Sequence, residues 1–239
     1  MSDLHGWINI YKPLNISSFK TIDKIKKKFN LKKLGHAGTL DPLAEGILPI
    51  AIGKTTKLIS YITNQCKEYE FEIKWGIETS TGDREGEIIS TNNKIPSDSE
   101  INKKLNSFFG NYLQKPPMAS AVKVNGVRAY KLFRKNENFD LIKKKVEIFD
   151  LKLIPNSQKK ISKMLISCGK GFYIRSFAID LAESLNTKGH IYSLKRTKVG
   201  DFSVKNSILL DDLLKIGEMS SEIKGYHSSV SMLDDILAL

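Results

Sequence analysis

One aspartate in this sequence, Asp41, lies in a turn bounded by glycines, within the stretch Leu34–Gly46. Glycines lie on both sides of His36, and glycine permits the positive φ angles and close backbone approaches that ligand-binding turns require. Asp41 directly precedes Pro42, which disfavours the αR conformation at Asp41 and suits the first position of a helix. Two interpretations remain open. Asp41 caps a short helix that ends at the last glycine, or it faces a substrate as a nucleophile or base.

The stretch Gly35–Gly46 resembles the catalytic motif of the TruB-type tRNA pseudouridine synthases, in which the aspartate is the catalytic residue. Several further segments resemble motifs of this family and follow one another in the family's order. These segments are Tyr11–Ser18, Lys67–Tyr69, Thr79–Gly86, Lys115–Tyr130, Gly171–Arg175 and His190–Thr197. Each segment alone is a weak signal, but together they are highly specific and cover nearly the whole chain.

The resemblance implies an isomerase that converts the uridine at position 55 in the T-loop of tRNA into pseudouridine, without a metal or cofactor. The implied catalytic residues are Asp41, Tyr69 and Arg175, with Arg175 paired to Asp41. The implied substrate- and RNA-binding residues are His36, Lys12, Tyr173, Leu194, Lys123, Arg128, Lys195 and Arg196. Because the target base is stacked in the T-loop, such an enzyme must flip it out of the stack before reacting.

The surroundings of Arg175 also favour a carboxylate partner for its guanidinium group. Arg175 lies in the first turn of a predicted helix, where the helix dipole disfavours a cation.

Two departures from the family's motifs bear on the site. Ala119 stands where an aromatic residue commonly precedes a serine, so an apolar or stacking contact is expected to be missing or replaced. Lys195 replaces an arginine, which keeps the charge and loses the planar fork.

Hydrophobic periodicity predicts the elements that must position these residues. The clearest strand covers Lys67–Gly76, where apolar and aromatic residues alternate with charged ones. A shorter strand is expected near the N-terminus, at Gly6–Pro13, followed by a helix that Ser17 or Ser18 caps. The apolar face of this helix is expected to contain Phe19, Ile22, Ile25 and Phe29.

Local signals mark elements in the rest of the chain. A capping box at Ser97–Glu100 opens a structural helix, and Asn125–Gly126 signals a hairpin turn. A last helix is expected over Ile208–Ile216. Together with the resemblance, these elements imply an α+β fold: the pseudouridine synthase catalytic fold, a mixed, mostly antiparallel sheet flanked by helices with a central cleft.

We expect residues 1–239 to form a single catalytic domain that includes an RNA-clamping insertion at about 116–146. Many bacterial relatives continue into a small β-rich RNA-binding domain (PUA), and no segment of this sequence corresponds to that domain. The C-terminal segment ends with Met232–Ile236 and three further residues.

The chain carries a formal net charge of +12 and has a sequence pI of about 9.5, together with an ordinary apolar fraction of 41%. Such an excess of positive charge usually marks a polyanionic partner, nucleic acid before membrane. Most of the charge is lysine, and a lysine-rich surface can also reflect genomic composition. A cluster of lysines on the helix after Ser18 would attract phosphates.

Composition excludes several other classes of protein. Cys66 and Cys168 are too few for a disulfide framework, and the four histidines show no metal-ligand spacing. No apolar run approaches the roughly 18 residues of a membrane span, and no signal peptide is evident. A cytoplasmic setting without a membrane is therefore expected. The resemblance further implies an enzyme that binds the T-arm of tRNA, and we expect it to act as a monomer without an obligatory protein partner or guide RNA.

Two alternatives remain at the level of function. One is a non-catalytic RNA-binding or RNA-folding protein with the same basic surface, in which Asp41 could be replaced without consequence. The other is a pseudouridine synthase that acts on a different RNA. Neither composition nor spacing separates these from a tRNA-modifying enzyme.

Overall fold

The computed structural model describes residues 4–218 and 222–228 of the 239-residue chain. In chain order its strands and α-helices are β1 Gly6–Lys12, α1 Ser18–Lys28, β2 Leu34–His36, β3 Ala44–Ile52, α2 Ile59–Asn64, β4 Lys67–Trp75, β5 Ile77–Thr79, β6 Ile88–Thr91, α3 Asp98–Leu105, β7 Gly110–Gln114, β8 Lys123–Val124, β9 Val127–Arg128, α4 Ala129–Arg134, β10 Lys144–Ile154, β11 Ile161–Cys168, α5 Ile174–Ser184, β12 Gly189–Val199, β13 Phe202–Ser203, β14 Ile208–Leu209, α6 Leu210–Lys215 and β15 Tyr226–Ser228. The predicted C-terminal segment Met232–Ile236 lies outside the described residues.

The chain divides into two compact units. The first unit consists of Met1–Tyr69 together with Lys195–Leu239, and the second consists of Glu70–Leu194. The boundary therefore falls inside β4 and inside β12. The assignment of residues 1–239 to a single catalytic domain stays a prediction.

In the first unit, β1 is the strand around which the sheet is built. It pairs with β3 in antiparallel fashion from Gly6, opposite Ile52, to Lys12, opposite Gly46. On its other side β1 pairs with β14 in parallel and with β15 in antiparallel fashion. The strand order here is β14-β1-β3-β12, and β2 also pairs with β3. This sheet is therefore mixed and mostly antiparallel, as predicted.

A small apolar core holds the first unit together. The indole ring of Trp7 lies 5.7 Å from the ring of Phe202, and both side chains are buried with Ile47 and Ile62. Because Trp7 is on β1, Ile47 on β3 and Ile62 on α2, this cluster joins the sheet to a helix.

Helix α1 confirms part of the prediction for this region and corrects another part. Ser17 is the N-cap, and its side chain accepts a hydrogen bond from the backbone N–H of Lys20. Ile25 is fully buried, as the periodicity predicted. Phe19 is 75% exposed, so its assignment to the buried face was wrong. The face that α1 buries instead contains Ser18, Thr21 and Ile25, which are spaced at three and four residues.

In the second unit the strand order is β12-β4-β11-β10-β7, and β10 pairs in antiparallel fashion with both β7 and β11. The predicted alternation along β4 is confirmed, since Phe71, Ile73 and Trp75 are buried between half-buried charged residues. The ring of Phe177 on α5 lies 6.0 Å from that of Phe71 and 5.3 Å from that of Phe108. Helix α5 thus packs on this sheet through aromatic side chains.

Several local predictions for the remaining elements are also confirmed. The capping box at Ser97 is formed at the start of α3, and the Asn125–Gly126 turn joins β8 to β9. The predicted helix over Ile208–Ile216 is shorter, because β14 occupies its first two residues and α6 begins at Leu210. The fold class is therefore α+β, with mixed, mostly antiparallel strands flanked by helices. The central cleft stays a prediction.

Candidate active site

The loop that carries Asp41 joins β2 to β3 and contains no helix. The backbone N–H of Ala44 donates to the carbonyl oxygen of Asp41 at 3.1 Å, which closes a turn at Pro42, and β3 begins immediately afterwards. The interpretation of Asp41 as the cap of a short helix was therefore wrong. Leu40 and Leu43 are buried on either side, while Asp41 is half-buried. The loop is thus anchored by apolar neighbours and keeps its carboxylate partly accessible.

Arg196 on β12 binds the backbone on both sides of this loop. Its Nε donates to the carbonyl oxygen of Ile47 at 2.8 Å, and its Nη2 donates to that of Gly38 at 3.0 Å. The Arg196 side chain is almost fully buried. These hydrogen bonds indicate that Arg196 holds the loop in place. Contact of Arg196 with RNA stays a prediction.

Gly46 allows β3 to approach β12 at the end of the same loop. Its φ angle is +106°, and a Cβ atom added there would lie 2.1 Å from the carbonyl oxygen of Arg196. Since that neighbour is backbone, no side-chain movement could relieve the clash. Glycine at this position is therefore a steric requirement.

The first residue of α1 and the segment that precedes this helix also hold the loop. The Ser18 hydroxyl accepts a hydrogen bond from the backbone N–H of Leu40 at 2.8 Å and donates to the carbonyl oxygen of Leu40 at 3.0 Å. The backbone N–H of Asn15 donates to the carbonyl oxygen of Pro42 at 2.8 Å. The residues on both sides of Asp41 are therefore tied to the segment that resembles the family's first motif.

His36 lies at the end of β2, just before this loop, and is half-buried. Burial, and next the positive charge of Arg196, lower the pKa of the imidazole from its ordinary value. The ring is therefore neutral at pH 7. A neutral ring at this position can stack on a base without adding charge to the site.

The other predicted site residues of the first unit differ in burial. Tyr69 is buried near the start of β4. Lys12 is also fully buried, and its ammonium group donates to the carbonyl oxygens of Pro13 and Ile16, each at 2.8 Å. These bonds hold the turn after β1, and contact of Lys12 with RNA stays a prediction. The Lys195 ammonium lies 5.6 Å from the ring centroid of Tyr11, in a cation–π arrangement.

In the second unit, Arg175 forms the centre of a buried polar cluster. Its Nε lies 3.6 Å from the Oδ2 atom of Asp83, and both side chains are almost fully buried. Its Nη1 donates to the carbonyl oxygen of Thr81 at 3.0 Å, and its Nη2 donates to that of Ala119 at 3.1 Å. Asp83 is thus a carboxylate partner of the kind that a cation in the first turn of α5 requires. The pairing of Arg175 with Asp41 stays a prediction.

Asp83 itself is fixed by the segment Thr79–Gly86, which matched a family motif. Its Oδ1 accepts hydrogen bonds from the Thr81 hydroxyl at 2.6 Å and from the backbone N–H of Glu85 at 3.0 Å. Its backbone carbonyl accepts a bond from the Thr79 hydroxyl at 2.6 Å. Reasoning from the sequence matched this motif but did not identify Asp83 as a partner of Arg175. The match of Thr79–Gly86 to a family motif was the one signal in the sequence that could have indicated this pairing.

Gln114, at the end of β7, holds the backbone immediately before α5. Its side-chain oxygen accepts a hydrogen bond from the backbone N–H of Tyr173 at 2.8 Å, and its amide nitrogen donates to the carbonyl oxygen of Tyr173 at 3.0 Å. The Ser176 hydroxyl donates to the carbonyl oxygen of Lys115 at 2.7 Å. Tyr173, a predicted substrate-binding residue, is therefore positioned by the end of β7.

Three predicted RNA-binding residues of this unit lie in different settings. Lys123 and Arg128 are exposed on the β8–β9 hairpin, and Arg128 Nη1 donates to the carbonyl oxygen of Ala121 at 2.6 Å. Leu194 is buried on β12. Ala119 stands where an aromatic residue is common in the family. Its backbone carbonyl oxygen accepts the hydrogen bond from Arg175.

Within residues 4–218 and 222–228, no three histidine, cysteine, aspartate or glutamate side chains come together as a possible metal site. In this same part of the chain, no helix is long and apolar enough to cross a membrane.

Comparison with known proteins places these residues in context. The family profile described as the N-terminal domain of the TruB family pseudouridylate synthases matches residues 26–174. This range contains the Asp41 loop and most of the second unit. Tyr173 is inside the matched range and Arg175 directly follows it.

Curated relatives are similar over most of the chain. A protein of Wolbachia pipientis subsp. Culex pipiens (strain wPip), named tRNA pseudouridine synthase B, is 45% identical over 89% of this chain and 60% of its own length. A protein of the same name from Anaplasma marginale (strain St. Maries) is 47% identical over 87% of this chain and 68% of its own length. A third, from Caulobacter vibrioides (strain ATCC 19089 / CIP 103742 / CB 15), is 41% identical over 98% of this chain and 76% of its own length. The chain therefore spans only 60% of the Wolbachia relative.

Two solved structures share the fold. A chain in the crystal structure of a Cbf5-Nop10-Gar1 complex matches with a TM-score of 0.69 and 26% identity, over 88% of this chain and 54% of its own length. A chain in the structure of an H/ACA RNP bound to a substrate RNA containing 2′-deoxyuridine matches with a TM-score of 0.67 and 23% identity, over 88% and 52%. At 23% identity the second match indicates the fold alone.

Proposed function

Because this chain belongs to the TruB family of pseudouridylate synthases, we propose that it converts the uridine at position 55 in the T-loop of tRNA into pseudouridine. The similar curated proteins from three bacteria carry the name tRNA pseudouridine synthase B, which supports tRNA as the substrate. We propose Asp41, Tyr69 and Arg175 as the catalytic residues.

One structural observation carries this proposal: the Asp41 loop is fixed on both sides of a carboxylate that is itself only half-buried. The loop is tied to Arg196 at one end and to Ser18 next to Asp41. Catalytic groups must be held in place by their surroundings, because a small misplacement of the reacting atoms lowers the rate strongly.

The reaction has three parts, and Asp41 has a place in it. The bond between C1′ of the ribose and N1 of uracil breaks, the uracil rotates, and a new bond joins C1′ to C5. C5 then loses its proton and N1 gains one, so substrate and product are isomers. A carboxylate can assist as a nucleophile or as a base at the sugar. Flipping the uridine out of its stack costs a few kcal/mol. Stacking on Tyr69 and the neutral ring of His36, at about 1–3 kcal/mol per base, offsets that cost.

The substrate is bound mainly through its phosphates in this proposal. Exposed lysines on α1, together with Lys123 and Arg128 on the β8–β9 hairpin, supply attraction that does not depend on sequence. We further propose a monomer that acts in the cytoplasm, where tRNA is modified, without a guide RNA or a protein partner. The solved structures with the same fold include complexes with other proteins and with RNA, and those assemblies are properties of the proteins named there.

The test is incubation of the protein with an unmodified T-arm stem-loop, followed by chemical mapping of pseudouridine. The wild type should modify one uridine, and Asp41→Asn should abolish the product while RNA affinity stays within a few-fold. Asp211→Asn, in the exposed first turn of α6, removes the same charge and is the matched control. Substantial turnover by Asp41→Asn would contradict the catalytic assignment. RNA binding by a wild type that makes no pseudouridine would favour a non-catalytic RNA-binding protein.

A further inference from the structure

Phe19, the second residue of α1, is an aromatic side chain that the fold leaves in solvent. It is 75% exposed, and it is the most exposed aromatic side chain of residues 4–218 and 222–227. The face that α1 buries contains Ser18, Thr21 and Ile25, and Phe19 lies outside that face.

The orientation of α1 is set by the Asp41 loop. The Ser18 hydroxyl makes two hydrogen bonds to the backbone of Leu40, at 2.8 and 3.0 Å. Ser18 directly precedes Phe19, and Leu40 directly precedes Asp41. Since consecutive Cα atoms lie about 3.8 Å apart, the Cα atoms of Phe19 and Asp41 are within roughly 14 Å of each other. The backbone that carries the exposed ring of Phe19 is therefore held within roughly 14 Å of the backbone of the proposed catalytic residue.

The charge around Phe19 indicates what kind of ligand could cover it. Lys20 and Lys24 are exposed on the same helix, and its one acidic residue, Asp23, is paired with Lys27 at 2.8 Å. Further exposed lysines follow at positions 26, 28, 32 and 33. A partner that covers Phe19 must therefore carry negative charge together with flat apolar surfaces. RNA has both, in its phosphates and its bases.

We propose that Phe19 stacks on a nucleobase of the bound RNA, one that neighbours the nucleotide at the Asp41 loop, while Lys20 and Lys24 contact the phosphates on either side. The inference rests on the proposed function, since it takes RNA as the substrate, and it adds a residue that binds that RNA. An aromatic ring suits this role because every base has a flat face, so the contact holds the strand without selecting a sequence.

RNA affinity of three Phe19 variants tests the proposal, measured by fluorescence anisotropy with a labelled T-arm stem-loop. Phe19→Ala should raise Kd by about 5- to 150-fold, which corresponds to the roughly 1–3 kcal/mol that base–aromatic stacking contributes. Phe19→Leu keeps an apolar side chain without a ring and should lose most of the same affinity. Phe19→Trp should bind at least as tightly as the wild type.

A matched control is available in the second unit. Phe149 on β10 is also exposed, at 51%, but its nearest charged neighbours along the strand are Glu147 and Asp150. Phe149→Ala should leave Kd within two-fold of the wild type. A loss of affinity in Phe149→Ala as large as that in Phe19→Ala would mean that general apolar surface, and not stacking at Phe19, is responsible.

The Phe19→Trp variant gives a direct signal of stacking. Both natural tryptophans, Trp7 and Trp75, are buried, so the wild type supplies the background signal. Stacking on a base should quench the added indole fluorescence when RNA binds. Unquenched fluorescence on a saturated complex would overturn the proposal, as would equal Kd values for Phe19→Ala and the wild type.

Turnover separates this inference from the proposed function. At saturating RNA, Phe19→Ala should form pseudouridine in a single turnover at a rate within about three-fold of the wild type, since the catalytic residues are intact. If the wild type binds RNA but makes no pseudouridine, the proposed function fails while a Phe19-dependent Kd still supports the stacking contact. If the wild type makes pseudouridine and Phe19→Ala binds equally well, the stacking contact alone is wrong.

Discussion

At the scale of single residues, buried cations do much of the positioning. Lys12, Arg175 and Arg196 are each almost fully buried, and each donates hydrogen bonds to backbone carbonyl oxygens. Hydrogen bonds from a charged donor are about twice as strong as those between neutral groups. A buried charge without such partners would cost several kcal/mol. These three side chains therefore hold their loops in one arrangement.

Replacement of Arg175 should disrupt both stability and activity. Arg175→Ala leaves Asp83 buried without this partner, so the free energy of unfolding should fall by about 3–5 kcal/mol, and pseudouridine formation should nearly vanish. Arg175→Lys should recover part of the stability and part of the activity, because it keeps the positive charge. Recovery should be incomplete, because a point charge replaces a planar fork that binds three groups. Urea denaturation and single-turnover assays measure the two effects.

Arg84→Ala is the control for this prediction, since Arg84 is exposed on the segment that carries Asp83. Its unfolding free energy should stay within about 0.5 kcal/mol of the wild type. An Arg175→Lys variant that matches the wild type in both assays would show that the directional hydrogen bonds are dispensable.

At the scale of elements, the start of α5 is held by the end of β7 and the segment that follows it. Gln114 binds the backbone of Tyr173 through two hydrogen bonds, the carbonyl oxygen of Lys115 accepts from Ser176, and that of Ala119 accepts from Arg175. Helix α5 therefore begins at a fixed point, and two proposed functional residues depend on it.

Gln114→Ala should loosen this junction. It removes the Gln114 oxygen that accepts from the Tyr173 N–H, while the Tyr173 carbonyl keeps its hydrogen bond from the Phe177 N–H. A lost partner for one buried group costs about 1–3 kcal/mol, so stability should fall by about that amount. Product formation at subsaturating RNA should fall further than the loss of folded protein explains. Gln158→Ala, in an exposed loop, is the control. Wild-type stability and kinetics in Gln114→Ala would refute the role of this junction.

Asp180 on α5 predicts a pH dependence of stability. Burial, and next the negative charge of Glu183, raise its pKa from 3.8 to about 6, against the opposite effect of Lys143. Between pH 3.8 and 6 the folded state therefore binds a proton that the unfolded state has lost, and stability falls as pH rises through this window.

Asp180→Asn removes that loss. Relative to the wild type it should gain roughly 1–2 kcal/mol of unfolding free energy between pH 4 and pH 7, after allowance for solvent screening of a partly exposed group. Denaturant titrations at both pH values measure the gain. Burial also lowers the pKa values of His36, His190 and His227, and their contribution to stability cancels in the difference between variants. If Asp180→Asn and the wild type differ in unfolding free energy by the same amount at both pH values, the raised pKa of Asp180 is contradicted.

Local signals explain which elements could be predicted from the sequence. The alternation along β4, the capping box of α3 and the β8–β9 hairpin depend on neighbouring residues, and all three are confirmed. The Asp-Pro pair, by contrast, favoured a helix after Asp41, but β3 begins at Ala44 because its pairing with β1 outweighs the local preference. Phe19 was assigned to the buried face of α1 from periodicity alone. Periodicity does not show that the hydrogen bonds between Ser18 and Leu40 turn a different face of this helix inward.

Contacts between residues distant in sequence could not be predicted from local signals. Arg175 lies 92 positions after Asp83, and the chain has 26 acidic residues that could have been its partner. The resemblance to the family identified both segments but did not pair them. The burial of Lys12 and Arg196 was also missed, because a lysine or arginine in a motif looks the same in sequence whether it faces RNA or a carbonyl oxygen.

At the scale of the whole molecule, the net charge of +12 is the feature that acts at long range. RNA affinity should fall linearly with salt on a log–log plot, with a slope of about −0.7 to −0.9 for each phosphate contacted. Lys123→Ala and Arg128→Ala should each reduce the slope by about one. Lys163→Ala, which removes a cation already paired with Glu70 at 2.8 Å, should leave it unchanged. A flat titration would exclude nucleic acid as the partner.

The two hydrogen bonds from Arg196 to Gly38 and Ile47 also have a consequence for conformational entropy. They close the ten-residue segment that carries Asp41, so the freedom that this segment would have as an open loop is lost when the chain folds. Little ordering of the segment is then left for the moment when RNA arrives. Association should consequently not be slowed by a search of this loop for its active conformation, and the ordering cost that remains falls on the RNA, whose base must leave its stack.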